Sequence, residues 1–175
     1  MTSYKDNAIY PIIAIDFDDT INVDGSDTYP RCGRCRIFAR GVINFLHKLG
    51  VKVIIWTSRD VAYNQEEKIL YDHLTPMIKF LDDNGIQYDT INESIQFAPY
   101  HYNGRKIYAH MYVDDRSYGW DDDDHDIFLS VLRQFLSKVC GMSSEFIEHA
   151  VAYAIGELDP DQWMIDAMKS WKVRQ

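Results

Sequence analysis

Apolar and polar positions alternate along the chain in blocks that predict buried strands, each followed by polar residues. Short, mainly apolar runs occupy residues 9–17, 51–56 and 107–113, and residues 86–91 form a weaker run. Mainly apolar runs of this length are typical of parallel strands buried on both faces. We therefore predict a four-stranded parallel sheet.

Helical patterns separate these runs. Apolar residues recur at helical spacing over 37–49, where Gly50 suits a C-terminal cap. The stretch 62–81 also has a helical pattern, which Pro76 interrupts, with Thr75 as the N-cap of a restarted helix. Strands that alternate with helices indicate right-handed crossovers in a parallel sheet.

The pattern changes after residue 120. The acidic segment 121–126 is expected to be a solvated turn before helices at 127–139 and 144–155, and Asp159 is expected to cap a third helix. We predict an α/β fold: a three-layer α/β/α sandwich with a parallel Rossmann-like sheet over residues 1–120. Residues 121–175 are predicted to form a helical C-terminal extension packed on this core, covering its flank, roofing the site or forming a homodimer interface.

Composition narrows the class of protein. The chain has 175 residues, of which 46% are apolar, and a net charge of −9; 21 of its 27 acidic residues are Asp. This charge argues against strong non-specific binding to nucleic acids. No apolar run approaches the roughly 18 residues of a membrane span, and the first residues lack the features of a signal peptide. With three cysteines, too few and too odd in number for a disulfide framework, we expect a cytoplasmic protein without membrane contact.

Polar clusters follow the predicted strands directly. They are Asp16-Phe17-Asp18-Asp19-Thr20, Trp56-Thr57-Ser58-Arg59, Ile91-Asn92-Glu93 and Val113-Asp114-Asp115-Arg116. The carboxyl ends of parallel strands form the ligand crevice of an open α/β sheet. We therefore expect these clusters to converge on one site.

The clusters also resemble the motifs of a known family. The first is similar to DxDx(T/V) of the haloacid dehalogenase-like phosphohydrolases, although Asp19 stands where that family often has Gly. Thr57, a lysine before the last strand and the pair Asp114-Asp115 resemble its second, third and fourth motifs. Together with Tyr29-Pro30-Arg31, they look like a small bacterial and phage subgroup without a large cap domain, over about residues 9–120.

The resemblance implies a phosphatase mechanism. Asp16 would be the nucleophile that forms an aspartyl-phosphate, and Asp18 the general acid and base. An acid at position 18 favours phosphatase over dehalogenase chemistry. Thr57 would hold the phosphoryl oxygens, and Lys106, with Lys79 as the alternative, would offset their charge.

The resemblance also implies Mg²⁺ as cofactor. Its ligands would be the Asp16 carboxylate, the Asp18 main-chain carbonyl and Asp114, while Asp115 would support the metal's waters or the lysine.

The remaining expectations concern the substrate. Candidate substrate-binding residues are Thr20, Ser58, Arg59 and Arg116; the two arginines could equally pair with the surrounding acids. Core packing is the main expectation for Tyr118 and Trp120, with stacking on a base or sugar as the alternative. The expected partner is a phosphorylated small molecule, first a nucleotide. The alternatives are a polynucleotide-end phosphatase, a phosphotransferase, and a non-catalytic binding or scaffold protein that retains the fold.

Two features suggest other chemistry but favour simpler explanations. Cys32-Gly33-Arg34-Cys35 is a CxxC motif, yet no second pair of ligands is spaced for zinc and the context is not thioredoxin-like, so we expect a structural or incidental role. The six histidines form no pair at metal-ligand spacing, and only His101 is expected near the site.

Overall fold

The computed structural model describes residues 10–95, 106–117, 120–121 and 123–173. The strands are β1 Ile12–Asp16, β2 Asn22–Val23, β3 Arg34–Cys35, β4 Lys52–Trp56, β5 Val61–Asn64, β6 Ile69–Asp72, β7 Thr90–Ile91 and β8 Met111–Val113. The α-helices are α1 Gly25–Thr28, α2 Ala39–Lys48, α3 Leu74–Asp83, α4 Ile127–Gln134, α5 Ser144–Gly156 and α6 Gln162–Lys169.

The central sheet has the predicted architecture. Four parallel strands lie in the order β7-β4-β1-β8, and flanking helices complete a three-layer α/β/α fold. The strand order reverses beside β1. The next two strands of this sheet along the chain, β4 and β7, lie on one side of β1, and the last strand, β8, pairs with β1 on the other side. In such sheets the crevice at this reversal is the usual ligand site.

The two faces of the sheet are covered differently. Ile13 and Ile15 of β1 join a large apolar core with side chains from helices α2 to α6. Ile12 and Ala14 face the other way, into a smaller cluster that includes Ile107 among the described residues. The alternation follows from the two-residue period of a strand.

The interpretation of residues 62–81 as largely helical is wrong in its first half. Residues 61–72 form an antiparallel hairpin of β5 and β6, and only α3 is helical. The side chain of Asn64 accepts hydrogen bonds from the backbone of Glu66 and Glu67 and so closes the turn. Aromatic and β-branched residues on either side of this turn favour strands.

The cap predicted at Thr75 is also displaced. Helix α3 already begins at Leu74, and the carboxylate of Asp72 accepts hydrogen bonds from the backbone of Leu74 and Thr75. Asp72, and not Thr75, thus supplies the side-chain acceptor for free amide groups at the start of this helix.

The C-terminal helices follow the predicted order with small shifts. A π-helical turn, Phe135–Val139, continues α4, and the hydroxyl of Ser143 caps α5. The third helix has Asp161, not Asp159, at its N-cap position, whereas Asp159 pairs with Lys48. Among the described residues, no helix is long and apolar enough to cross a membrane.

Helix α5 lies directly against α2. A Cβ atom added to Gly41 would come within 2.2 Å of the carbonyl oxygen of Ala154, so glycine permits this approach. The apolar faces of α4, α5 and α6 contribute to the large core. The homodimer through these helices stays a prediction, as does the boundary at residue 120.

Candidate functional site

A cavity of about 280 Å³ opens at the carboxyl edge of β1, β4 and β8. It is lined by Asp16, Asp18, Asp19, Trp56, Thr57, Ser58, Asp114, Asp115 and Arg116. The structure therefore brings together polar residues from three of the four strand ends that the sequence singled out.

Three carboxylates meet in this cavity. One oxygen from each of Asp16, Asp114 and Asp115 lies within 4.8 Å of the other two. Burial raises the pKa of Asp16 to about 7, and the neighbouring charge of Asp114 adds to the increase. Burial also raises the pKa of Asp115, with further contributions from Asp114 and Asp19. The carboxylates repel one another, and a cation between them would relieve that repulsion.

Thr20 links two of these acids from behind. Its hydroxyl donates to Asp16 Oδ2 at 3.2 Å and accepts from the backbone N–H of Asp115 at 2.9 Å. The side chain is fully buried. Thr20 was predicted to bind substrate, but it is buried and instead positions the acids that would contact a ligand.

Asp18 is held by Arg59. The guanidinium donates from Nε to Asp18 Oδ2 at 2.8 Å and from Nη2 to Asp18 Oδ1 at 2.7 Å. Asn22 Nδ2 donates to the same Oδ1 at 3.2 Å. Of the two roles considered for Arg59, pairing with an acid is the one that the structure displays.

The environment of Arg59 fixes this pair. Its side chain is fully buried and also donates to the carbonyl oxygens of Pro30 and Arg31, at 2.6 and 3.1 Å. The guanidinium lies 5.1 Å from the ring centre of Phe17 and 5.0 Å from that of Tyr29. Arg59 thus ties Asp18 to the loop between β2 and β3 and is not presented to a ligand.

The backbone around Asp18 constrains two nearby positions, Asp19 and Gly25. Asp19 has a left-handed conformation with φ of 58°, which glycine adopts freely and which Asp tolerates. A Cβ atom on Gly25 would come within 2.7 Å of Asp18 Oδ1, so a larger residue there would displace the carboxylate.

Thr57 is fixed by Asn92, a residue to which the sequence motifs assign no role. Asn92 accepts from the backbone N–H of Thr57 at 2.9 Å and donates to the carbonyl oxygen of Thr57 at 2.8 Å. The Thr57 hydroxyl accepts from the backbone N–H of Arg59 at 3.1 Å, so its own proton can be donated into the cavity. The position of Asn92, directly after the third predicted strand, was the available signal.

Neither candidate lysine lines the cavity. Lys106 is exposed, and Lys79 pairs with Asp83 on the outer side of α3. Among the described lining residues, Arg116 is the cation; its backbone N–H donates to Asp114 Oδ1 at 2.9 Å. Ser58 is also exposed and lines the cavity.

The other sequence candidates that the structure describes do not line the cavity. The ring of Trp120 packs against the main core, with the guanidinium of Arg36 5.2 Å from the ring centre. Cys32 and Cys35 have free thiols. Where the acidic segment is described, the carboxylates of Asp121 and Asp124 accept backbone hydrogen bonds, as in a turn. Tyr118, Asp122 and His101 lie outside the described residues.

Comparison with known proteins supports the fold alone. No family model and no curated protein matches the chain. A solved structure that matches is that of a conserved protein from Bacteroides thetaiotaomicron, with 23% sequence identity and a TM-score of 0.53. The match covers 74% of this chain and 92% of that chain. The chain therefore shares an α/β parallel-sheet fold with that protein.

Proposed function

We propose that the chain is a Mg²⁺-dependent phosphomonoesterase of the haloacid dehalogenase-like type that works through an aspartyl-phosphate on Asp16. The observation that carries the proposal is the close approach of Asp16, Asp114 and Asp115 at the sheet's reversal point. Asp18 and Thr57 line the same cavity. This combination provides a nucleophile, a proton carrier, a hydroxyl donor and a cluster of hard oxygen ligands.

The donor set fits a magnesium ion. Carboxylate oxygens are the ligands that Mg²⁺ prefers, and three of them within 4.8 Å of one another form a compact group. Asp16 and Asp114 would hold the ion directly, together with the main-chain carbonyl of Asp18, and Asp115 would support it. When bound, the ion would supply the positive charge that phosphoryl transfer requires.

The first chemical step uses Asp16 and Asp18. A carboxylate oxygen of Asp16 attacks phosphorus, an Asp16–phosphorus bond forms, and the bond from phosphorus to the alcohol oxygen breaks. A protonated Asp18 gives its proton to that departing oxygen. Asp18 accepts from Arg59 with both oxygens and also lines the cavity, so the guanidinium would hold the carboxyl group in place while it presents the proton to the substrate.

The second step returns the site to its starting state. Water attacks the aspartyl-phosphate, Asp18 takes a proton from that water, and inorganic phosphate leaves Asp16. The hydroxyl of Thr57 donates to a phosphoryl oxygen throughout. Arg116 supplies positive charge at the rim of the cavity, and the part assigned to Lys106 stays a prediction.

The substrate class follows from the cavity's chemistry. A site of this size with one lining arginine suits the phosphoryl group of a small monoester, and a nucleotide is our first expectation. The free thiols of Cys32, Cys35 and Cys140 agree with the proposed cytoplasmic location, where disulfides are rare.

The test is hydrolysis by the purified chain of a panel of phosphate monoesters with Mg²⁺ or with a chelator. The panel includes nucleotides and phosphorylated DNA ends, and added alcohols reveal transfer to acceptors other than water. We expect Mg²⁺-dependent release of phosphate by the wild type and a loss of at least about a thousandfold in Asp16→Asn. Asp83→Asn, an exposed acid on α3, is the matched control and should retain activity.

A second measurement tests the covalent intermediate. With 4-nitrophenyl phosphate, whose leaving group needs no proton, Asp18→Asn should form the aspartyl-phosphate and then hydrolyse it slowly. Acid quenching followed by mass spectrometry should find one phosphoryl group on Asp16. If the wild type is as inactive as Asp16→Asn over the whole panel, the enzyme proposal fails and a binding or scaffold role takes its place.

A further inference from the structure

The side chain of Trp56 lies beside the proposed nucleophile. In the parallel pairing of β1 with β4, Trp56 is the register partner of Asp16. Register partners on neighbouring strands point to the same face of a sheet, and strands lie about 4.8 Å apart. Trp56 also lines the cavity that holds the three acids.

The ring of Trp56 is braced but not covered. It contacts Tyr112 edge to face, with ring centres 5.5 Å apart. The Tyr112 hydroxyl donates to the carbonyl oxygen of Ile107 and accepts from the backbone N–H of Ala109 at 3.1 Å, so the supporting ring is itself anchored. Trp56 nevertheless remains 38% exposed. A large aromatic side chain that is rigidly held and open to solvent at a cavity wall is suited to stacking.

The lining of the cavity defines what could stack there. Five of the nine lining residues are aspartates and one is an arginine. Additional negative charge on the substrate would be repelled by these acids, whereas a neutral planar group would not. The cavity, at about 280 Å³, is at the small end for ligand sites, so the alcohol portion of a phosphate ester would extend to its mouth.

We infer that Trp56 is a stacking platform for a neutral planar ring on the alcohol side of the substrate, which makes nucleoside monophosphates the preferred class. The inference rests on the proposed phosphomonoesterase function and adds to it a residue that determines specificity. Trp56 is the aromatic member of the described lining, whereas Trp120 is packed against the main core.

The test compares two substrates that share a leaving group. Ribose 5-phosphate and adenosine 5′-monophosphate both release a primary alcohol, and they differ in the base. We expect the wild type to favour the nucleotide in kcat/KM by about tenfold or more, the range that stacking of one base on an aromatic side chain provides. Trp56→Leu should bring the ratio close to one, and Trp56→Phe should preserve most of it.

Trp163 offers a matched control, because it is a second exposed tryptophan and lies on α6, away from the cavity. Trp163→Leu should leave the ratio unchanged. If Trp56→Leu does not fold, Asp16→Asn provides a binding measurement. Adenosine 5′-monophosphate should quench its tryptophan fluorescence more than ribose 5-phosphate does, and adding Trp56→Phe should remove that difference.

The outcomes separate this inference from the function on which it rests. Two results would overturn the stacking role and leave the phosphatase proposal standing. One is equal kcat/KM of the wild type for the two substrates, and the other is an equal loss of kcat/KM for both substrates in Trp56→Leu. If no monoester of the panel is hydrolysed in a Mg²⁺-dependent reaction, both the stacking role of Trp56 and the phosphatase proposal are overturned.

Discussion

Arg59 and Asp18 form a bidentate ion pair that connects the end of β4 with the loop after β1. The same guanidinium holds the carbonyl oxygens of Pro30 and Arg31. One buried side chain therefore fixes both the proposed proton carrier and the loop between β2 and β3. Bidentate geometry requires the planar fork of arginine, which lysine does not have.

Replacement of Arg59 should affect stability and activity together. In Arg59→Ala, Asp18 loses its charged partner and keeps only the amide of Asn22, and two carbonyl oxygens lose the guanidinium as a donor. We expect a loss of about 3 kcal/mol in the free energy of unfolding. Arg59→Lys should lose less stability but should still lower kcat, because one ammonium group cannot orient both oxygens of Asp18. Denaturant unfolding and steady-state kinetics measure the two effects.

A double-mutant cycle with Asp18→Asn isolates the pair. We expect a coupling free energy above about 1 kcal/mol between positions 59 and 18. Additive effects of the two substitutions would show that Arg59 acts through the loop carbonyls alone.

Thr20 should be important although it does not face the cavity. Thr20→Val keeps the shape of the side chain but removes the acceptor for the backbone N–H of Asp115 and the donor to Asp16. The N–H of Asp115 is partly buried, and leaving it without a partner should cost about 1 kcal/mol of stability. We expect that loss in denaturant unfolding, together with weaker Mg²⁺ binding by calorimetry. Thr20→Ser retains the hydroxyl and should keep most of the stability and most of the Mg²⁺ affinity of the wild type. Equal stability and equal Mg²⁺ affinity in Thr20→Val and Thr20→Ser would refute the bridging role.

The sequence predicted the sheet well because buried parallel strands have a distinctive composition. Mainly apolar runs marked β1 and β4, and the polar residues after β1, β4 and β8 meet at one cavity. The hairpin of residues 61–72 was missed because its exposed apolar side chains, such as Tyr63 and Leu70, also fit a helical period. Exposure depends on tertiary structure, which periodicity does not report.

The sequence predicted which residues meet at the site but not which hydrogen-bond partners hold them. Asp16, Asp114 and Asp115 come together as their strand ends indicated. The pairing of Arg59 with Asp18 across 41 positions depends on how two loops pack, and it was one of two open alternatives. The reciprocal contact between Asn92 and Thr57 joins neighbouring strands, and without the register no local pattern identifies it.

Asn92 should support the proposed catalytic hydroxyl. Asn92 has a φ of 51°, a conformation that glycine adopts freely, so Asn92→Gly removes the two hydrogen bonds without adding backbone strain. We expect kcat to fall about tenfold as the Thr57 segment loses its anchor. Asn92→Ala should behave similarly but lose about 1 kcal/mol more stability from the strained backbone. If Asn92→Gly has the kcat of the wild type, the contact between Asn92 and Thr57 contributes to folding and not to catalysis.

Magnesium binding should strengthen as the pH rises through about 7. In the metal-free protein the pKa of Asp16 is raised from 3.8 to about 7, mainly by burial and then by Asp114. Because the folded-state pKa is the higher one, protonated Asp16 favours folding below about pH 4, and this contribution is lost as the pH rises through about 7. A cation needs the deprotonated carboxylate and therefore competes with this proton.

The prediction is tested by thermal unfolding at pH 5.5 and pH 8, with Mg²⁺ and with a chelator. We expect the rise in Tm caused by Mg²⁺ to be larger at pH 8, by at least about 3 °C. Asp16→Asn should reduce this pH dependence and, with the chelator at pH 8, should be more stable than the wild type, because it lacks the buried charge. A Mg²⁺ effect that is equal at both pH values and unchanged in Asp16→Asn would place the ion away from these carboxylates.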